Sequence, residues 1–346
     1  MDGPAGESLA AAPQEELARQ IVLEQYGLDG AALRLQGYED ENFRIDVDGR
    51  SYVLKLVPTS SDADYVDFQV AILRHLAEAR AGDRTGIEFP RIILNRSGQF
   101  VAAVKYIDGS RRFARLVTWV RGRPMSAVAD YPLEVLRELG AAVAAVYRAL
   151  SDFRHPADAR SHPWDIASAE PCIGEAEAIE DGRVRERVRS HIAGFAERHR
   201  DLAPSLATSV IHGDPNTDNV LLREDPDGSY RVAGLIDFGD AVRSATVFDL
   251  AIACTYAMMN REDPWAAGAT VVSGYESVRA LAPAETDILY PAILARLAMS
   301  LSRSARARFV DPDNAYLQVS DGAAGRLLWR LEGVSEAEAR SRLMTE

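Results

Sequence analysis

The chain has 346 residues, 47% of them hydrophobic and 26% charged, which is ordinary for a globular protein and enough for two lobes with sizeable cores. Its formal net charge of −13 argues against nucleic-acid binding, because phosphate contact needs a basic surface. No apolar run reaches the length of a membrane span, and Cys172 and Cys254 lie far apart outside any CxxC, so no disulfide framework is expected and a reducing, cytoplasmic setting fits.

The opening MDGPAGESLAAAP lacks a basic stretch followed by an apolar one and does not read as a signal peptide. Leu17, Ile21, Val22 and Tyr26 recur at helical spacing, predicting a helix from Glu15 to Tyr26 that stops at Gly27. ALRLQGY, NFRIDVDG and SYVLKLV then alternate apolar and polar residues, with Asp48-Gly49 as a hairpin turn. A helix follows in SDADYVDFQVAILRHLAEARAG, then strands in FPRIILNRSG, QFVAAVKYIDG and FARLVTWVRG. Beyond Gly122-Arg123-Pro124 the pattern turns helical, first in PLEVLRELGAAVAAVYRAL and, after an irregular stretch over 155–171, in GRVRERVRSHIAGFAERHR. The strand-like pair VIHGDPNTDNVLL and YRVAGLIDFGD comes next, and helical patterns run from Thr246 to about Arg308 and from Tyr316 to the end. The expectation is an α+β chain: a small antiparallel sheet with one helix over residues 1–120, a larger and mostly helical part over 121–346, and a cleft between two lobes.

Within VIHGDPNTDNVLL a polar cluster interrupts two apolar flanks, and IDFGD follows on the next strand. Asp214, Asn219 five residues later, and Asp237 of an Asp-Phe-Gly are the pieces that orient a hydroxyl and hold magnesium in phosphoryl transfer. Magnesium prefers oxygen ligands, so the Asp237 carboxylate and the Asn219 amide oxygen suit it. The hydroxyl that accepts the phosphoryl group must be aimed and must lose a proton, which gives Asp214 the part of base. A polar turn explains Gly213, Pro215 and Asn216 but not the coupled IDFGD. His212 is a rival base whose place beside an apolar strand favours packing and hydrogen bonding. No His, Cys or Asp cluster has zinc spacing, and there is no GxSxG.

The phosphate-gripping partner is expected to be a lysine on a strand, and Lys55 in SYVLKLV meets that expectation. Such a lysine normally pairs with a helix acid, but Gln69 stands at that point of YVDFQVAILRHL, with Asp67 on a different helical face. A glutamine carbonyl can accept a hydrogen bond from Lys55 without adding charge. The loop GYEDENF, residues 37–43, carries one glycine rather than GxGxxG. Its Glu39, Asp40 and Glu41 are expected to face solvent, leaving Asn42 and backbone amides for the nucleotide.

HGDPNTDN with IDFGD, preceded by YVLKL, resembles the aminoglycoside phosphotransferase and choline kinase superfamily, which has a protein-kinase-like fold. The resemblance is closest to 5-hydroxy-L-lysine kinases and related phosphotransferase domains. It runs over roughly residues 35–330, through ENFRI, ARLVTWVRGRP, VAGLIDFGDAVRSATVFDLAIACTYAMM, GYESVRALAPAE and ARLAMSLSRSARAR. It implies Asp214 as catalytic base, Asn219 and Asp237 as ligands of Mg2+, and Lys55 on the phosphates of ATP or GTP. It implies Leu116–Val120 as a hinge, with Thr118, Trp119 and Val120 offering backbone groups to the purine, and Asp249 as a brace of the catalytic loop.

The acceptor is then a small amino-bearing hydroxyl compound. Asp240 is positioned to face its ammonium or to cap a loop, with Glu262 and Asp263 as further acids. Arg296 and Arg303 lie seven apart, two helical turns on one face, and could fork a carboxylate or be solvated. Trp164 could line the pocket or simply pack. Kinases for 5-hydroxylysine, choline or homoserine, an antibiotic phosphotransferase and a non-catalytic binding scaffold all stay open from the sequence.

Overall fold

The computed structural model describes residues 13–35, 40–59, 63–79, 86–310 and 321–345. The chain divides into two compact units, one formed by residues 1–74 and 90–120, the other by 75–89 and 121–346. The segment 75–89 therefore groups with the helical part.

The first unit is built on helix α1 (Pro13–Tyr26), strands β1 (Ala31–Leu35), β2 (Glu41–Val47) and β3 (Arg50–Pro58), helix α2 (Ala63–Ala79) as far as Arg74, and strands β4 (Ile92–Ile93), β5 (Ala102–Lys105) and β6 (Arg111–Thr118). Its antiparallel sheet runs β1-β2-β3-β6-β4, with β5 also on β6. Val47 pairs with Arg50, so Asp48 and Gly49 form a two-residue hairpin; both have positive φ, 47° and 76°, which suits the right-handed twist of the strands they join. Alternation buries Phe43, Ile45, Leu54, Leu56 and Leu116 against Ala18, Ile21 and Val22 of α1.

The second unit contains β7 (Arg123–Pro124), α3 (Leu133–Leu150), α4 (Cys172–Glu175), α5 (Gly182–Leu202), β8 (Thr208–Ile211), β9 (Val220–Glu224), β10 (Tyr230–Leu235), β11 (Val242–Ala245), α6 (Val247–Met258), α7 (Pro264–Glu276), α8 (Pro283–Val310), α9 (Asp321–Leu331) and α10 (Glu336–Leu343). Asp181 caps α5, its carboxylate accepting from Arg183 N at 2.8 Å. Helix α6 is apolar on nearly every face and buried almost throughout, as expected of a core helix.

The two strands flanking the polar loop join different ladders. β8 pairs with β11, whereas β9 pairs with β10 and β7. The loop between them is thus held at both ends by separate strand pairs. Cys172 and Cys254 are buried and unoxidised. Among the described residues no helix is long and apolar enough to cross a membrane.

Candidate active site

In the first unit, Lys55 pairs in register with Asn42 on β2 and with Arg115 on β6, so one row of side chains carries all three. Asp40 corrects the solvent-facing expectation. Its Oδ2 lies 3.5 Å from Lys55 Nζ and 3.2 Å from Arg115 Nη2. Glu41 likewise turns inward, accepting from the Tyr106 hydroxyl. Lys55 and Arg115 beside Asp40, and Arg112 3.9 Å from Glu41, offset the partial burial of these acids. Glu39 lies outside the described residues. Asn42 Nδ2 donates to Asp40 O at 3.3 Å, and Gln69 is buried on α2.

The segment Leu116–Val120 ends β6 and continues beyond it. The Thr118 amide donates to Arg91 O at 2.9 Å and the Trp119 amide to Ser51 O at 3.1 Å, so both N–H groups are spent within the unit. Of the backbone groups that the resemblance offers to a purine, these two amides are therefore not open. The Trp119 ring is covered by Arg44, whose guanidinium carbon stands 4.8 Å from its centroid.

In the second unit the polar loop is clamped from three sides. The Asp249 carboxylate on α6 accepts from His212 N at 2.7 Å and Gly213 N at 2.9 Å. Burial pushes this carboxyl up to about 7, against the two amides that stabilise its charge. The His212 Nε2 is 2.9 Å from Ile236 O, and its Nδ1 accepts from Asp214 N at 3.2 Å, which makes Nε2 the protonated nitrogen. Full burial pushes the ring down to about 4, so it is neutral and both nitrogens are committed. It braces the loop and cannot serve as a base without dismantling it. Gly213 has φ +84°, and a Cβ there would lie 2.2 Å from Asp240 O; only glycine fits.

Asp214 is held by three side chains through four hydrogen bonds. Its Oδ2 accepts from Asn216 Nδ2 at 2.7 Å and Asn219 Nδ2 at 3.1 Å, and its Oδ1 from Arg296 Nη2 at 2.7 Å. Asn219 Nδ2 also reaches Asp214 O at 2.9 Å. Burial raises the Asp214 carboxyl to about 6; Arg296 opposes this, while Asp237 and Asp218 add to it. Since Asn219 spends its NH2 on Asp214, its Oδ1 is the atom left to ligate a cation. Asp237 sits at the left-handed φ of 64°, uncommon outside glycine, at the start of the 3-10 turn Phe238–Asp240. One carboxylate and one amide oxygen suit magnesium, which keeps several waters and takes phosphate oxygens. Among the described residues no group of three or more His, Cys, Asp or Glu could hold a metal alone. Asp218 accepts from the Ser126 hydroxyl and so belongs to the loop's support.

Around Asp214 lies a second layer. Arg296 on α8 is 2% exposed and touches Tyr256 OH and Trp164 O, each at 3.3 Å. Its guanidinium carbon is 4.8 Å from the Trp164 centroid, and that of Arg303 is 4.7 Å from it. Arg303 donates to Pro163 O at 2.8 Å. The expectation that these arginines are either a free fork or solvated is corrected: one is bound to Asp214 and both are stacked on Trp164. The segment bearing Trp164 is tied to β11 by Ser244 Oγ donating to Asp165 at 2.7 Å and by Arg243 with Asp158. Asp240 Oδ1 lies 3.6 Å from His162 Nε2. Burial, with Arg160, Arg296 and Arg303 adding, holds that imidazole down at about 4, so the contact is not an ion pair. Asp263 caps α7 by accepting from Trp265 N at 3.0 Å, a structural role.

The motifs did not point to Arg115, Tyr256 or His162. The one local signal was Arg115 itself, a charge inside the otherwise apolar run ALV of its strand.

Residues 31–283 match the model of the phosphotransferase enzyme family. Over 329 residues the chain is 26% identical to hydroxylysine kinase of Mus musculus, covering 88% of this chain and 86% of that one. Over 299 residues it is 31% identical to homoserine kinase of Methylorubrum populi, with 83% of each chain covered. Among solved structures, amicoumacin kinase hAmiN in complex with AMP-PNP, Ca2+ and Ami has a TM-score of 0.68 at 16% identity, over 96% of this chain and 94% of that one. This last likeness is one of fold, and the fold is the α+β kinase-like one expected from the sequence.

Proposed function

Because this chain belongs to the phosphotransferase enzyme family, we propose that it transfers the γ-phosphoryl group of a magnesium–nucleotide to the hydroxyl of a small hydroxy amino acid, with 5-hydroxylysine as the leading acceptor. The observation that carries this reading is Asp214, a buried carboxylate fixed by Asn216, Asn219 and Arg296 with its proton affinity raised. A base poised near the working pH accepts a hydroxyl proton well, and a fixed one aims that hydroxyl without further ordering.

In this scheme Asp214 orients the acceptor hydroxyl and takes its proton as the phosphoryl group arrives. Asn219 Oδ1 and Asp237 would hold magnesium, which would supply positive charge against the triphosphate. Lys55 contacts the phosphates, with Asn42 and Gln69 lending polar support on its unit. The segment Thr118–Val120 meets the purine of ATP or GTP. Trp164, Arg303 and Asp240 form the acceptor end, where one cationic and one anionic side chain suit the carboxylate and ammonium of an amino acid, while Arg296 serves Asp214.

The acceptor class draws its support from similarity to two kinases of hydroxy amino acids. The likeness to homoserine kinase, at 31% identity, favours homoserine as a second reading. A screen of 5-hydroxylysine isomers, homoserine, choline and kanamycin, each with ATP and with GTP, decides between them. Turnover of 5-hydroxylysine at the highest kcat/KM is the expected result; turnover confined to kanamycin or choline overturns the amino-acid assignment.

A further inference from the structure

Within the first unit, one buried cation has no part in the scheme above. Arg115 is 3% exposed, in the middle of β6, directly across from Lys55. Taking a guanidinium out of water is costly unless anions repay it. Here the repayment is incomplete. Asp40 Oδ2 is a single oxygen shared between Arg115 Nη2 at 3.2 Å and Lys55 Nζ at 3.5 Å. The Arg115 Nη1 is buried and has no hydrogen-bond partner among the described residues. The row thus holds two cations converging on one anionic oxygen, with a further donor aimed at nothing.

Arginine's planar fork matches phosphate, and two cations over one oxygen is an arrangement that a polyphosphate can fill more completely than a carboxylate. We propose that Arg115 is a second phosphate-binding residue of the nucleotide site, beside Lys55, and that Asp40 occupies the position of a phosphate oxygen until nucleotide displaces it. The inference rests on the nucleotide-dependent reaction proposed above. A purely structural Arg115–Asp40 ion pair differs in one respect: removing the acid's charge would then harm the site instead of freeing it.

The test is titration calorimetry of the full chain and of the Arg115→Gln and Asp40→Asn variants with MgATP, MgGTP, adenosine and guanosine. Losing a charge-assisted bond to phosphate is expected to weaken triphosphate binding by about tenfold to a hundredfold in Arg115→Gln. Nucleoside affinity is expected to stay at the wild-type level. Asp40→Asn is expected to tighten triphosphate binding by about tenfold, because a competing anion is gone. Wild-type triphosphate affinity in Arg115→Gln overturns the inference. So does unchanged or weaker binding in Asp40→Asn, which decides the matter even where Arg115→Gln fails to fold. Failure of the wild-type chain to take up any triphosphate is a different result, and it overturns the proposed function itself.

Discussion

Replacing Arg296 by Met tests how the base is tuned. The guanidinium is 2.7 Å from Asp214 Oδ1, and methionine keeps an unbranched stem beside Trp164 and Tyr256. Two unit charges about 4 Å apart interact by about 4 kcal/mol at an effective dielectric near 20. Water entering the vacated space recovers part of this, leaving about 2–4 kcal/mol, a proton affinity at Asp214 higher by about thirtyfold to a thousandfold. The carboxyl already stands at about 6. The acid limb of kcat/KM should therefore move up by about 1.5 to 3 pH units in the variant. Stability follows with a definite sign. The proton is held more tightly in the folded chain than in the unfolded one, so stability falls as pH rises from the unfolded value towards the folded one. The variant's deficit should accordingly be larger at pH 8 than at pH 5. Both are read in a coupled nucleotide-consumption assay across pH and in parallel thermal melts. A variant whose acid limb coincides with the wild-type limb, however slow its turnover, refutes the account of Arg296 as the group that keeps Asp214 ionised.

Three further outcomes are expected. Asp214→Asn should lose about two to four orders of magnitude in kcat while melting near the wild-type temperature; near-normal turnover sinks the base assignment. Asp249→Ala removes the acceptor of two loop amides at about 1–3 kcal/mol each, so its melting temperature should drop by several degrees, and an unchanged melt contradicts the clamp. Gly213→Ala combines a left-handed backbone costing about 1–2 kcal/mol with a contact to Asp240 O that must be relieved by moving the turn. Its kcat and stability should fall together, and a fully active, fully stable variant would show that the loop has room.

The parts legible in the sequence are those whose chemistry is local. Asp214 and Asn219 lie within one loop five residues apart, and their expected closeness is met by the bonds between them. The place of Lys55 on a strand could be read because alternation marks that strand. The acidic loop was misread for the opposite reason. Whether Asp40 faces water depends on Arg115, which is seventy-five positions away and arrives beside Lys55 only through the register of β3 with β6. Arg296 shows the same limit. Helical spacing put it on one face with Arg303, but its bond to Asp214 spans eighty-two positions and depends on how α8 packs. Tyr256, on a helix buried almost throughout, looked like any other core aromatic.

The clamps that Asp249 and His212 place on the catalytic loop end on main-chain atoms. Asp249 grips two amides, His212 bridges the Ile236 carbonyl to the Asp214 amide, and Gly213 rests against the Asp240 carbonyl. Main-chain carbonyls survive every substitution, and main-chain amides survive all but proline. The side chains proposed for the acceptor end are supplied instead by other elements: Trp164 by an irregular segment and Arg303 by α8. Mutation can therefore revise what is phosphorylated while leaving the phosphorylating loop as it was. Under the proposed scheme that separation makes the scaffold evolvable, with Trp164 and Arg303 as the positions from which to redirect it to a new alcohol.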